Sequence, residues 1–192
     1  MGQAKLLLPW GRNSILGHLI ALWSELGADE IAVVCVADSP AIGVELDRLG
    51  FSREYRIYNP QAERGMFSSI ICAAQWSGWS AALSHWAVVL GDQPHIQRST
   101  LGQLLKFAAE HADSVCQPAR NGRRGHPVVL PRAVFLEIAG SKCTSLKEFL
   151  AGHKIAECAC EDPGLNLDID RPEDYQKALA LARLERRVNG GT

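Results

Sequence analysis

The sequence predicts an α/β protein, a three-layer αβα sandwich built on a mostly parallel β-sheet. Two observations support this prediction. Segments with the apolar spacing of helices alternate along the chain with short, β-branched apolar runs. Two of these runs, residues 30–38 and 85–92, are continuous, which is typical of strands buried on both faces of a parallel sheet. With 192 residues, 47% of them hydrophobic, the chain can bury the core of one domain.

Helices are expected where apolar residues recur every three or four positions, and strands where the apolar runs are short. The predicted helices are residues 14–26, 41–49, 68–76, 99–111, 145–150 and 172–187. The predicted strands are residues 30–38, 54–59, 85–92, 113–118, 126–131, 154–160 and 165–170. Since no repeat or linker interrupts this pattern, we expect one domain over residues 1–188 and a flexible tail at 189–192.

Composition argues against several classes of function. The chain has 20 Lys and Arg against 21 Asp and Glu, so no broad attraction to nucleic acid or to an anionic membrane is expected. Its six cysteines form no CxxC pair, which favours free thiols over a zinc site or disulfides. The leucine run at residues 6–8 is too short for a secretory signal or a membrane span. These features predict a cytoplasmic protein.

A candidate metal ligand follows the strand predicted at residues 85–92. In an open parallel sheet, ligands bind beyond the carboxyl ends of the strands. Asp92 stands just past the last apolar residue of this run, Gly91 allows a ligand to approach closely, and Pro94 ends the strand. An Asp in this position can also simply open a turn, and from this stretch alone the two interpretations are equally good.

The segment LNLDIDRPEDY contains a second group of acids. If residues 165–170 form a strand, the leucines and the isoleucine share one face, whereas Asn166, Asp168 and Asp170 share the other. Three oxygen-bearing side chains in a row suit a hard cation such as Mg²⁺. Alternatively, Asp170 is the N-cap of the next helix and Glu173 completes a capping box. For Asp170 alone this second interpretation is slightly better, and the two are compatible.

Polar groups elsewhere could hold a phosphate. Lys5 lies in an apolar segment, where a lone lysine is more often a solvated charge. The loop before the helix at residues 68–76 could present backbone and hydroxyl donors at a helix N-terminus, although its first serine could equally be an N-cap. The donors there belong to Gly65, Met66, Ser68 and Ser69.

The turn ARNGRRG, at residues 119–125, places two arginines next to a histidine. These residues are Arg123, Arg124 and His126. Arginines at a turn are usually only solvated, but guanidinium groups are also well suited to hold a phosphate with two hydrogen bonds. The turn is therefore a candidate substrate contact.

Five segments in this order resemble the MobA-like NTP transferases, in the branch that contains molybdenum cofactor cytidylyltransferase. They are MGQAKLLLPWG, GMFSSI, GDQP, RRGHPVVLP and LDIDRPEDY, and the resemblance covers essentially the whole chain. It implies a Rossmann-like fold of the nucleotide-diphospho-sugar transferase type. It also implies a reaction in which a phosphate on a small molecule, here molybdopterin, attacks the α-phosphate of an NTP and releases pyrophosphate. Mg²⁺ is the implied cofactor, and CTP is the favoured NTP.

The resemblance also implies roles for individual residues. Asp92 and Asp170 would bind Mg²⁺, with Asp168 as a second-rank candidate, and Lys5 would contact the NTP phosphates. The nucleotide pocket would be lined by Gly2, Lys5, Gly65, Met66, Ser68, Ser69 and Gly91. The acceptor would face the GHP segment and its neighbours Arg123, Arg124 and His126. These roles agree with the needs of nucleotidyl transfer, which are alignment and charge neutralisation.

The sequence departs from the family pattern at its beginning. In the family, the first strand runs into a glycine-rich LAAGxSxRMG loop that wraps the phosphates, whereas this sequence begins at the MG of that loop. That strand would lie between the strands at residues 30–38 and 85–92, so both are expected to lack a neighbour, with backbone groups left unpaired. We expect that Met1 is an internal residue or that the chain is a fragment, in preference to a short, inactive relative.

Two other functions stay open. The incomplete phosphate loop is consistent with a nucleotide- or cofactor-binding maturation factor without turnover, whose partner would be a molybdoenzyme or its chaperone. A nucleotide-sugar glycosyltransferase is the other, because DxD acids also hold Mg²⁺ beside a nucleotide-sugar. Here the DID acids come late in the chain, after most of the sheet, which favours the nucleotidyltransferase.

Overall fold

A computed structural model describes residues 5–36 and 39–189, with side chains up to residue 185. The helices are α1 (Ile15–Glu25), α2 (Pro40–Arg48), α3 (Met66–Gln75), α4 (Arg98–Glu110), α5 (Arg132–Ile138), α6 (Leu146–Leu150) and α7 (Pro172–Asn189). The strands are β1 (Pro9–Trp10), β2 (Asn13–Ser14), β3 (Val33–Val36), β4 (Arg56–Asn59), β5 (His85–Val88), β6 (Val115–Arg120), β7 (Arg123–Arg124), β8 (Val128–Pro131) and β9 (Ile155–Ala159). Short 3₁₀ helices are Lys5–Leu7, Arg53–Tyr55, Ala62–Arg64 and Pro163–Asn166.

Side chains from one strand pack against helices on both faces of the sheet. In β8, Val128 and Leu130 join the cluster that contains α3 and α5, whereas Val129 between them joins the cluster of α4. On the α4 side, Trp23 of α1 packs with Leu101 of α4. The strands therefore form the middle of three layers, and the predicted αβα fold class is confirmed.

The strands are hydrogen-bonded in two principal groups. The larger has the order β5-β8-β6-β7, with β9 also paired to β6, and the smaller is the pair β3-β4. The β3-β4 and β6-β9 pairs are parallel, and β5-β8, β6-β8 and β6-β7 are antiparallel. Strands β1 and β2 form a separate small hairpin. No helix within the described residues is long and apolar enough to cross a membrane.

An apolar cleft separates the two groups of strands. It has a volume of about 520 Å³ and is lined by β3 and β5, by α1 residues such as Trp23, and by α3 residues such as Ile70. Strands β3 and β5 are not paired with each other. The expectation that both apolar runs are buried on both faces was wrong, because Ala87 and Val89 in the second run are exposed at this cleft.

The segment 165–170 is not a strand, contrary to the prediction. Residues 163–166 form a 3₁₀ helix, and residues 167–170 have no regular structure. Pro163 cannot donate to a ladder, and the N–H of Ile169 bonds instead to the carbonyl of Asp92. The predicted alternation of exposure nevertheless holds, since Leu165 and Ile169 are buried and Asp168 is exposed.

Other differences from the predicted elements are smaller. Helix α5 was not predicted, because its apolar residues follow those of β8 almost directly. The β1–β2 hairpin was not predicted either. The closing helix begins at Pro172 as expected and includes Asn189, and residues 190–192 of the predicted tail lie outside the described residues. Residues 37–38, which end the first predicted strand, also lie outside them.

The open cleft predicts that two alanines in the strands tolerate charge very differently. Ala87→Asp should lower the free energy of unfolding by about 1 kcal/mol or less, because the side chain is exposed and only strand preference changes. Ala119→Asp, at a position 8% exposed in β6, should cost at least about 2 kcal/mol, because it buries a charge. Urea unfolding measures both. Equal, large losses would mean that the cleft is closed in solution.

Candidate functional site

The aspartates predicted as metal ligands lie around Lys5 in the structure. Asp92 lies beyond the carboxyl end of β5, and Asp168 and Asp170 lie between the last 3₁₀ helix and α7. Lys5, which begins the first 3₁₀ helix, places its Nζ 2.6 Å from Oδ1 of Asp170 and 3.9 Å from Oδ2 of Asp92. One ammonium group therefore contacts carboxylates from two distant parts of the chain.

The charges at this site shift one another's pKa values. The hydrogen bond to Asp170 raises the pKa of Lys5, the charges of the three carboxylates add to this rise, and partial burial opposes it. Burial, and next the charge of Asp168, raise the pKa of the Asp92 carboxyl, whereas Lys5 opposes that rise. Lys5 thus keeps its proton, and ionisation of Asp92 is disfavoured by its burial.

Asp170 does not have the capping role that the sequence favoured for it. The carboxylate that bonds back to the start of α7 is that of Asp174, which accepts from the backbone N–H of Arg171 at 3.1 Å. That is the capping-box geometry, one residue later than predicted for Glu173. The side chain of Asp170 instead forms an ion pair with Lys5, and it is 68% exposed.

A ladder of four hydrogen bonds joins the loop at residues 92–97 to residues 162–169. Its partners are Asp92 and Ile169 at 3.1 Å, Gln93 and Asp168 at 2.7 Å, His95 and Gly164 at 3.0 Å, and Gln97 and Asp162 at 2.8 Å. We call these contacts the loop ladder. They run in opposite directions along the two segments, and they fix Asp92 beside the acids that follow Asp162.

The N-terminus of α3 is built around a buried asparagine. Nδ2 of Asn59, at the end of β4, donates to Oγ of Ser68 at 2.8 Å and of Ser69 at 3.0 Å. Gly65, just before the helix, has φ +87°, a conformation that side chains rarely adopt. Met66 is 49% exposed. These residues therefore lie together at the start of α3, and Asn59 is a neighbour that was not predicted from the sequence.

Gly91 connects the two parts of the site. A Cβ on Gly91 would lie 2.4 Å from Cδ2 of Leu6, so the absence of a side chain allows the 3₁₀ helix that carries Lys5 to pack against this loop. Leu6 and Gly91 line the same cleft as Met66 and Ser69. The small size of Gly91 thus has a packing reason, beside any role in admitting a ligand.

His126 faces the acids, whereas the two arginines lie apart from them. Burial lowers the pKa of His126, and a hydrogen bond to the Val88 carbonyl and the charges of Asp168 and Asp92 oppose that shift. Arg123 and Arg124 are exposed on β7, and Nε of Arg124 lies 3.6 Å from a carboxylate oxygen of Glu157. Neither arginine makes a described contact with the site carboxylates, and Gly2 lies outside the described residues.

The strand-end signal that identified Asp92 could also have found Asn59, because EYRIYN is a strand that ends in a polar residue. Gln93 was missed although it follows Asp92 directly, because a glutamine by itself carries no charge or metal preference. His95 was missed as well, and its burial and its bond to Gly164 depend on a contact across 69 positions of sequence.

The residues fit a divalent metal ion in charge and donor type. Oδ1 of Asp92 is buried and has no hydrogen-bond partner among the described residues. Carboxylate oxygens are the donors that hard cations prefer. In the arrangement described, no three His, Cys, Asp or Glu side chains of residues 5–36 and 39–189 are grouped closely enough to hold a metal. In this arrangement the Asp170 carboxylate is paired with Lys5.

Comparison with solved structures shows the fold first. The manganese complex of Rv0371c from Mycobacterium tuberculosis H37Rv has a TM-score of 0.68 at 22% identity, over 93% of each chain. Molybdopterin-guanine dinucleotide biosynthesis protein A from Archaeoglobus fulgidus has a TM-score of 0.65 at 12% identity, over 95% of this chain and 92% of that one. The chain therefore shares the fold of these two proteins.

Sequence comparison then gives the family. Residues 1–157 match the MobA-like NTP transferase domain, and the chain belongs to this family. The chain is 25% identical over 178 residues to molybdenum cofactor cytidylyltransferase of Escherichia coli strain K12. The aligned region covers 91% of this chain and 86% of that protein. The family named from the sequence motifs is therefore confirmed, and the chain is a nucleotidyltransferase by family.

The pKa shifts predict opposite effects of neutralising two aspartates. Asp92→Asn should raise the free energy of unfolding at pH 7 in metal-free buffer, because burial raises the pKa of Asp92 and its charged form destabilises the fold. Since wild-type Asp92 is protonated at low pH, the gain should vanish as pH falls below the ordinary carboxyl value of about 3.9. Urea unfolding across pH measures this difference.

Asp47→Asn is the matched control, with the opposite sign. Hydrogen bonds from Arg53 and then Arg56 lower the pKa of Asp47, so its charged form stabilises the fold. Asp47→Asn should therefore lower the free energy of unfolding at pH 7, with the loss disappearing as pH falls through the lowered pKa. A loss of stability in both variants at pH 7 would contradict the description of Asp92.

Proposed function

We propose that the protein is a metal-dependent cytidylyltransferase that transfers CMP from CTP to the phosphate of a molybdopterin-type acceptor. The observation that carries the proposal is the contact of one ammonium group, on Lys5, with Asp92 and Asp170 at the edge of the sheet. Strand-end carboxylates beside a lysine form a site that can hold a polyphosphate through a metal and through a direct positive charge.

The proposed metal ligands are Asp92 and Asp170, with Asp168 as a third candidate. Asp92 brings an oxygen without a hydrogen-bond partner, and three carboxylates against one ammonium leave the site negatively charged. A divalent ion bound there, Mg²⁺ in our proposal, would neutralise charge on the reacting phosphates and align them. The manganese complex of the mycobacterial protein supports a divalent ion in this fold.

The transfer itself exchanges one P–O bond for another. An oxygen of the acceptor's phosphate attacks the α-phosphorus of CTP, and the bond from that phosphorus to the oxygen bridging to the β-phosphate breaks. The bridging oxygen leaves with its electron pair on pyrophosphate. Lys5, whose pKa is raised, keeps its proton and provides a fixed positive charge for the oxygens that become more negative.

The N-terminus of α3 is the proposed binding site for the rest of the nucleotide. The group formed by Gly65, Met66, Ser68 and Ser69 combines the positive end of a helix with hydroxyls held by Asn59. Because Met66 and Ser69 line the same cleft as Gly91, a nucleotide could reach from α3 to the carboxylates. The single hydroxyl hydrogen of Ser68 is already used within the protein, with the carbonyls of Gly65 and Gln61 both in reach, which leaves Ser69 as the freer hydroxyl.

The acceptor would lie on the side of His126. Burial keeps its imidazole neutral, so the ring can both donate and accept a hydrogen bond. Arg123 and Arg124 are exposed and could reach a phosphate that extends away from the carboxylates. The choice of CTP and molybdopterin rests on the 25% identity to the E. coli cytidylyltransferase.

A second candidate function is binding without turnover, as in a maturation factor for molybdoenzymes. The open cleft between β3 and β5 favours it, because that cleft extends to Leu90 and Gly91 at the edge of the site. A triphosphate held next to an open cleft is less well shielded from water than one in a closed pocket.

The test is pyrophosphate release from CTP with molybdopterin and Mg²⁺ or Mn²⁺, with GTP in parallel. Lys5→Gln should lower turnover by about 10²–10³-fold, because it removes a charge that acts on the reacting phosphates. Lys106→Gln changes an exposed lysine in α4 and should leave turnover unchanged. Chelation of the metal should abolish the reaction.

Three outcomes would change the proposal. Turnover with GTP but not CTP would replace the base and keep the mechanism. Nucleotide binding without pyrophosphate release, with either metal, would favour the second candidate. Equal activity of Lys5→Gln and Lys106→Gln would remove Lys5 from the site.

A further inference from the structure

Gln93 is a buried amide in apolar surroundings. It is 8% exposed and lies in a small space lined by apolar residues of α1 and α4, including Leu22 and Leu101. Its Nε2 donates to Oδ1 of Asp168 at 2.7 Å. An amide N–H on a carboxylate is a charge-assisted bond, and this length is short for an N–H···O contact.

An apolar side chain could occupy the position of Gln93 without this hydrogen bond. Burying an amide is unfavourable unless it is hydrogen-bonded, and an apolar side chain of similar length would fill the same space without that cost. Asp168 is exposed, so water can solvate its carboxylate when the amide is absent. A glutamine here therefore does something for Asp168 that packing alone does not explain.

We propose that Gln93 is a positioning residue for Asp168 in the transfer site. This inference rests on the proposed function. The amide holds one carboxylate oxygen, Oδ1, and so fixes the carboxylate plane, which leaves Oδ2 available to the metal. Partners that orient a ligand in this way typically contribute a factor of about 10–100 in metal affinity.

The loop ladder supports this assignment. On either side of the Gln93 contact, the Asp92 carbonyl accepts from Ile169 at 3.1 Å and His95 donates to the Gly164 carbonyl at 3.0 Å. These bonds hold the two segments together without the Gln93 amide. The amide can therefore be removed while the segments stay in register, and its effect on the carboxylate becomes measurable by itself.

The experiment compares Gln93→Met with Gln97→Met, both in the full chain. Met has a similar length but no amide, and the side chain of Gln97 is outside the ladder, which uses only its backbone N–H. Mn²⁺ affinity, measured by electron paramagnetic resonance, should fall about tenfold or more for Gln93→Met and stay unchanged for Gln97→Met. The unfolding temperature of Gln93→Met should be unchanged or higher.

The same substitution in an Asp168→Asn background completes the test. If Gln93 acts through Asp168, Gln93→Met should cause little further loss of Mn²⁺ affinity there, and the two effects should not add. Additive effects, unchanged affinity, or a variant that is destabilised or fails to fold would each overturn the inference. Absence of Mn²⁺ binding by the wild-type chain would instead remove the metal-dependent function proposed above.

Discussion

The loop ladder is the constraint on which the site depends. Asp92 comes from the loop after β5, and Asp168 comes about 75 positions later, from a segment without regular structure. The ladder fixes these two segments against each other through backbone and side-chain contacts, with His95 and Asp162 buried within it. The cost of bringing like charges together is offset by Lys5 and by these hydrogen bonds, so the carboxylates stay close in the folded chain.

The site is asymmetric, and the asymmetry indicates how its charges are used. Asp170 is exposed and paired with Lys5, Asp168 is held by an amide, and Asp92 is the most desolvated and has an unpartnered oxygen. A partly desolvated carboxylate with one unpartnered oxygen costs free energy, so the fold is less stable with Asp92 charged. Such a cost at a cleft edge is common where a cation binds, because the cation supplies the missing interaction.

Much of this site could be predicted from the sequence. Strand-end position and chemistry identified Asp92, and the order of five short motifs identified the family. Asp168 and Asp170 were also named as candidates, although the strand on which that prediction relied is absent. Residues 163–166 turn as a 3₁₀ helix, and only the alternation of burial survives. Apolar alternation reports which side chains face the core, and it does not require a hydrogen-bonded strand.

The partners of these residues could not be predicted in the same way. Gln93, Asn59 and His95 are significant because of what they contact, and those contacts span between 9 and 75 positions of sequence. Dependence on contacts between distant residues also explains why the open cleft could not be predicted. The apolar run at residues 85–92 looks like a strand buried on both faces, whereas its exposure at Ala87 and Val89 depends on which strands lie beside it.

A structure of the chain with Mn²⁺ and a CTP analogue that carries a methylene bridge between its α- and β-phosphates would test the central claim most directly. The account predicts Mn²⁺ on oxygens of Asp92 and Asp170 and on Oδ2 of Asp168, at about 2.0–2.3 Å, with Lys5 moved from Asp170 to a phosphate oxygen. The nucleotide would lie along the start of α3. Mn²⁺ and nucleotide bound elsewhere, with Lys5 still on Asp170, would contradict it.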